Sequence, residues 1–192
     1  MMVTNANYLT ILATQSFMFG INISIATMSS YLFAEFGFST PEVAAIGGTF
    51  LVSGIFASII VGIILDKYKC YKRMCNILTF LAVIALFCFN FSLPTQSLPL
   101  VLANAAVCGL LITPISTITL PLSVEVTFPL GETMSNGFLL STTLLYGSIL
   151  TLICSDLVPT QDVIYVYCGS AVVSFGSGLF IKEDLRRLGK KE

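Results

Sequence analysis

Long apolar runs separated by short polar or proline-bearing breaks set the pattern of this chain. Six runs stand out, at approximately residues 9–34, 42–65, 74–93, 98–121, 131–155 and 162–182. Each meets or nearly exceeds the ~20 residues that span ~30 Å of hydrocarbon at 1.5 Å per residue. The breaks are Glu35 to Pro41, Asp66 to Arg73, Leu93 to Leu98, Leu122 to Leu130 and Ser155 to Gln161. None is long enough to separate domains. The pattern predicts an all-α membrane protein, a single bundle of six transmembrane helices over residues 1–192.

Composition closes off the soluble alternative. The chain is 56% hydrophobic and 10% charged, where soluble domains carry roughly 25% charged residues. Its mean hydropathy is +0.94, so the bilayer must act as solvent. The start, Met1 to Asn5, has no basic region and the first run is long, so the first helix is expected to stay as an internal start signal rather than be cleaved. The absence of histidine removes the commonest metal ligand and general base. Cys70, Cys75, Cys88, Cys108, Cys154 and Cys168 are scattered, with no second pair at metal-ligand spacing, and read as small apolar packing residues. No nucleotide-binding motif occurs. Neither catalysis nor a metal, a cofactor or a nucleic-acid partner is expected.

Net charge is −1 and says little; the placement of charge says more. Lys67, Lys69, Lys72 and Arg73 lie between the second and third runs, and Lys182, Arg186, Arg187, Lys190 and Lys191 lie at or beyond the end of the sixth. With six crossings these groups share one side, together with the N-terminus and the 122–130 break. The other side holds Glu35, Glu42, Asp156 and Asp162 and no basic residue. The positive-inside rule then places both termini in the cytosol. The tail from Lys182 to Leu188 reads as a short amphipathic turn resting on the cytosolic leaflet.

Within the runs, polar and small residues mark positions of interest. Gly54, Ser58 and Gly62 recur at spacings of four and stack on one helical face, where another helix can come close. Gln15, Asn22 and Ser24 lie deep in the first run, with Asn22 close to its middle. Such an amide needs a partner, either a neighbouring helix or a substrate in a cavity. Pro114 interrupts the fourth run, which reaches Pro121 at its end; the expected bend can be a hinge or a fixed shape. Thr113, Ser116, Thr117 and Thr119 are placed to satisfy freed carbonyls. Glu132 falls in the first turn of the fifth helix, where the helix dipole favours a carboxylate. Ser141, Thr142, Thr143 and Tyr146 follow at mid-depth, and the sixth run is read as carrying only small polar groups. The substrate-lining candidates are Asn22, Ser24, Ser141, Thr142 and Tyr146. No acidic or basic residue lies at membrane depth, which argues against proton coupling through a carboxylate in these helices and leans toward facilitated diffusion.

The loop Gly62-Ile-Ile-Leu-Asp66-Lys67-Tyr68-Lys69-Cys70-Tyr71-Lys72-Arg73 resembles the G-x-x-x-D-[RK]-x-[GK]-x-[RK]-[RK] loop of major facilitator transporters, which joins the second and third helices of a six-helix half. Glu125-x-Thr127-Phe128-Pro129, Glu132 followed by Ser135-x-Gly137, and Ile181-Lys182-x-Asp184-Leu185-Arg186-Arg187 narrow the resemblance to the feline leukaemia virus subgroup C receptor-related family. The resemblance implies the C-terminal half of a twelve-helix transporter, with cargo held between halves near the midplane. It implies choline, ethanolamine or haem-related cargo, and a gating loop of Gly62, Asp66, Lys72, Arg73, Glu125 and Glu132. In such transporters the aspartate meets a helix N-terminus of the opposite half. Ile23 and Leu144 stand where the family tends to place an aromatic residue and a glutamine, so two expected cargo contacts are apolar here. A transporter of this kind needs two halves. The chain is expected either to pair with another six-helix polypeptide or itself, or to be an incomplete gene product. The rival reading is a membrane scaffold that transports nothing. It expects the polar residues of the first and fifth helices to face neighbours within the bundle, where transport expects them to line one concave face.

Overall fold

The computed structural model describes residues 5–159 and 162–181. All regular structure among these residues is helical. The six apolar runs become α1 (Ala6–Glu35), α2 (Thr40–Tyr68), α3 (Tyr71–Ser92), α4 (Leu98–Ile112) with α5 (Pro114–Thr127), α6 (Glu132–Asp156) and α7 (Val163–Leu179). A 3-10 turn, Leu93–Thr95, closes α3. Five helical spans are long and apolar enough to cross a membrane, the α4–α5 pair counting as one from Leu98 to Thr127. The sixth, α7, is apolar and shorter at 17 residues.

Local chemistry fixes the ends. Asn5 caps α1, its side-chain oxygen accepting from the Asn7 N–H at 3.1 Å. Gly37, at φ +86°, reverses the chain where a left-handed residue is needed. The Glu42 carboxylate accepts from both the N–H and the hydroxyl of Ser39 at 2.7 Å and starts α2, next to Pro41.

Two breaks differ from the sequence expectation. Asp66 to Arg73 is expected to be a loop, yet only Lys69 and Cys70 leave the helices. Asp66 and Lys67 form the last turn of α2, and Lys72 and Arg73 the first turn of α3. Charged residues end the membrane-embedded part of a helix without ending its hydrogen bonding; the reversal comes at Lys69, in the left-handed region at φ 51°. Likewise the fourth segment runs past Pro121 to Thr127, with the proline inside α5. The hydroxyls of Ser116 and Ser123 bond back to the carbonyls of Thr113 and Leu120. The break falls at Thr113, beside Pro114, where the sequence places the interruption.

Glycine sets the closest crossings. A Cβ on Gly109 of α4 would strike the Phe50 carbonyl and the Ser53 hydroxyl of α2, and one on Gly54 would strike the Thr113 side chain. Of the α2 stripe, Gly54 is therefore a backbone contact; Gly62 is not, with Thr117 Cγ2 at 3.8 Å. Gly20 of α1 lies under the Tyr146 ring, and Gly147 of α6 under Ile23. Around these seams α1 packs on α5, α6 and α7, α2 on α4, and α3 on α4 and α7. The opposite stripe of α2, including Leu51, Ile55, Phe56, Ile59 and Ile63, is exposed. Such an outward apolar surface is stable only against hydrocarbon or another apolar protein face.

Candidate functional site

Asn22 projects from the middle of α1, half-buried, into a part-open cavity of about 190 Å³ lined by α1, α2, α3, α4 and α7. Its amide has no hydrogen-bond partner among the described residues. The walls are almost wholly apolar, with Ile46 and Phe50 of α2, Leu86 and Phe89 of α3 and the Tyr167 ring of α7 forming much of them.

The other four lining candidates do not border this cavity. Ser24 is fully buried, its hydroxyl 2.9 Å from the Tyr167 hydroxyl. Tyr146 packs edge-on against Phe17, ring centroids 4.7 Å apart, and its hydroxyl lies 2.8 Å from Ser170 Oγ. Thr142 donates to the Phe138 carbonyl of its own helix at 2.8 Å, and Ser141 is exposed on α6. The five residues thus split into Asn22 in a cavity, two helix-to-helix polar contacts and two positions on α6. Of the two partners, Ser170 is one of the small polar groups read in the sixth run, whereas Tyr167 falls outside that reading. Tyrosine inside an apolar run was the available signal, since a buried hydroxyl must find a partner.

Toward the chain-terminal end of the bundle the interior turns polar. Thr119 Oγ1 donates to Gln15 Oε1 at 2.6 Å, while Gln15 Nε2 is buried without a partner. Thr14 Oγ1 lies 2.9 Å from Ser177 Oγ, and the Ser174 hydroxyl donates to the Thr14 carbonyl at 2.9 Å. Below this seam the Tyr8 hydroxyl donates to the Ser135 carbonyl at 2.8 Å and Asn5 Nδ2 to the Val126 carbonyl at 3.2 Å. Tyr8, Leu65, Cys75, Leu122 and Ile181 share one apolar cluster, so the start of α1, the α2–α3 turn, the end of α5 and the end of α7 lie at one end of the described bundle.

The gating-loop candidates meet at that end. Asp66, Arg73 and Glu132 are exposed, Lys72 and Gly62 are half-buried, and Glu125 is buried at 8% exposure. Tyr71, in the first turn of α3, is within electrostatic reach of both Asp66 and Glu125, which ties the α2–α3 turn to the end of α5. Lys182 and the basic tail beyond it lie outside the described residues. No cluster of His, Cys, Asp and Glu suited to a metal ion occurs among the described residues.

No family model matches the chain. Individual curated proteins do, along nearly its whole length. It is 26% identical, over 97% of its residues, to an uncharacterised MFS-type transporter of Caenorhabditis elegans. It is 29% identical over 95% of its residues to the choline/ethanolamine transporter FLVCR1 of Mus musculus, and 25% identical over 95% to FLVCR2 of Rattus norvegicus. The chain is a distant relative of the FLVCR-type major facilitator transporters. It spans about a third of the length of these relatives: 32%, 34% and 34% respectively. The relatives carry the names of transporters, not enzymes. Together with the apolar helices, the similarity supports a multi-pass membrane protein.

Proposed function

We propose that this chain is the C-terminal six-helix half of a major facilitator transporter. It moves a small organic solute only together with a second six-helix half. The supporting observation is similarity that runs through nearly the whole chain to proteins named as transporters, at about a third of their length. The cargo of the relatives points to a choline- or ethanolamine-like solute, or a haem-related one by the family resemblance. Ile23 packs on Gly147 and Leu144 is exposed, so neither offers a polar group to such cargo. Asn22 is the residue of this half assigned to the cargo. Asp66, with Glu125, Lys72 and Arg73, forms the cytosolic gate, and both termini face the cytosol.

The test is uptake of labelled choline and ethanolamine into liposomes, by the chain alone and by the chain co-reconstituted with the N-terminal six helices of a relative. Saturable uptake is expected with the second half and none without it. Robust uptake by the chain alone would remove the need for a partner.

A second reading, a non-transporting scaffold, is favoured by one set of contacts. Ser24 and Tyr146 spend their hydroxyls inside the bundle, on Tyr167 and Ser170. Absence of uptake in both preparations, with the protein inserted and folded, would support it.

A further inference from the structure

We propose that the part-open pocket beside Asn22 holds the quaternary ammonium head of a choline-like solute and prefers a methylated ammonium to a primary one. The inference rests on the transport reading for the nature of the cargo; it adds where in this half the cargo binds and what the site selects. The pocket opens between α1 and α2, with Ala26 and Leu51 exposed at its lip. Four rings from four helices line it: Phe33 of α1, Phe50 of α2, Phe89 of α3 and Tyr167 of α7. Phe33 and Phe89 have centroids 6.1 Å apart and planes at 72°, two walls not far from a right angle. Phe38 backs Phe33 edge-on from outside the lining. The Tyr167 hydroxyl lies 2.9 Å from Ser24 Oγ, which sets that ring at the level of Asn22. A cation among several rings gains from each face within reach. The volume of about 190 Å³ is sufficient, since ~150 Å³ takes up benzene and a trimethylammonium head is close to such a ring in size.

Selectivity follows from what the lining lacks. No carboxylate borders the pocket, so ring faces and not an ion pair carry the charge. A quaternary ammonium has no N–H to satisfy, and the open lip keeps water near it, which lowers the cost of leaving solvent. A primary ammonium brings three donors and needs acceptors for them. Those on offer are few, because the Tyr167 hydroxyl is engaged with Ser24 and that of Ser29 donates to the Ala26 carbonyl at 3.2 Å. The Asn22 amide, donor and acceptor in one group, is left for the hydroxyl of the solute. Placement of charge favours a cation as well. Phe33 lies two residues before Glu35, and Ile46 of the lining four residues after Glu42. Lys67, Lys69, Lys72 and Arg73 sit at the opposite ends of α2 and α3. Carboxylates at that mouth raise the local concentration of cations. Ile23 and Leu144 lie outside the lining, so the site does not depend on them.

The experiment measures binding of tritiated choline to the full chain in maltoside micelles, which contain no ammonium group. The competitors are ethanolamine, the neutral isostere in which carbon replaces the choline nitrogen, and dihexanoyl phosphatidylcholine. Saturable choline binding is expected without a second half, with ethanolamine and the isostere each weaker by about tenfold or more. Phe50→Leu should weaken choline about tenfold and the isostere by less than about twofold. Phe50→Tyr keeps the ring and should bind like the unaltered chain. Asn22→Leu should weaken choline and the isostere alike, by about fivefold, the worth of one hydrogen bond. Binding of the isostere serves as the check that each variant keeps its fold. Absence of saturable choline binding, or an isostere that binds as well as choline, would overturn the proposal. Displacement by the phospholipid at lower concentration than by choline would also overturn it, by assigning the pocket to a lipid headgroup. Choline binding without uptake by the two-half preparation would leave the site standing and sink the transport reading. Uptake unchanged by both Phe50→Leu and Asn22→Leu would do the reverse.

Discussion

Gly109 and Gly62 are separated by what lies opposite them, not by composition. Gly109 faces the Phe50 backbone, which cannot rotate away, whereas Gly62 has only Thr117 Cγ2 at 3.8 Å. Gly109→Ala is therefore expected to destabilise the bundle by about 1–3 kcal/mol through overpacking. Gly62→Ala should be neutral or slightly stabilising, since alanine is the better helix former by up to ~1 kcal/mol. Unfolding by SDS titration from mixed micelles reads both, and equal losses would show that Gly62 also meets a close neighbour. Asp66 is exposed on the last turn of α2. Asp66→Asn should leave stability within ~0.5 kcal/mol in the same assay, while impairing transport once a second half is present. A large stability loss would reveal a buried partner for the carboxylate.

At the scale of elements, the division of the fourth segment is the main irregularity inside the membrane. Pro114 cannot donate to the preceding turn, and Thr113, beside it, has a buried hydroxyl without a partner and presses against Gly54 of α2. Restoring the N–H with Pro114→Ala is expected to join α4 and α5 into one helix and to slow hydrogen exchange over residues 110–117. Unchanged exchange would mean that the seam with α2, not the proline, holds the break. The first outcome fits a hinge and the second a fixed shape, the two readings the sequence left open. The other ends are settled by short-range chemistry: the Ser39–Glu42 pair starts α2, and Lys69 in the left-handed region stops it.

For the whole molecule, orientation follows from where charge can cross. Lys67, Lys69, Lys72 and Arg73 sit at the end of the bundle shared by Asn5, Val126 and Ile181. Epitope tags on either terminus should be protected from external protease in intact cells. Replacing those four basic residues by glutamine should yield a mixed population, because the K/R bias loses one of its two clusters. Cleavage of a tag in the unaltered protein would reverse the assignment. The exposed apolar stripe of α2 fits a lipid or protein boundary at this scale, and a second half would be expected to cover part of such a surface.

The apolar runs by themselves determined the helical class and the number of segments, because a backbone in hydrocarbon must satisfy its own hydrogen bonds and helices do so locally. The loop from Gly62 to Arg73 and the Glu125 segment also carried the kinship, since a motif is a property of linear order. Position along the helix was legible too: Gln15, Asn22 and Ser24 all lie inside α1. What each polar group faces was not, because azimuth around an all-apolar helix leaves no period in the sequence. Only the packing separated Ser24, turned to Tyr167, from Asn22, turned to a cavity two residues away. Only packing, again, made Gly109 a contact and left Gly62 open, since a close approach needs two helices and a sequence describes one at a time.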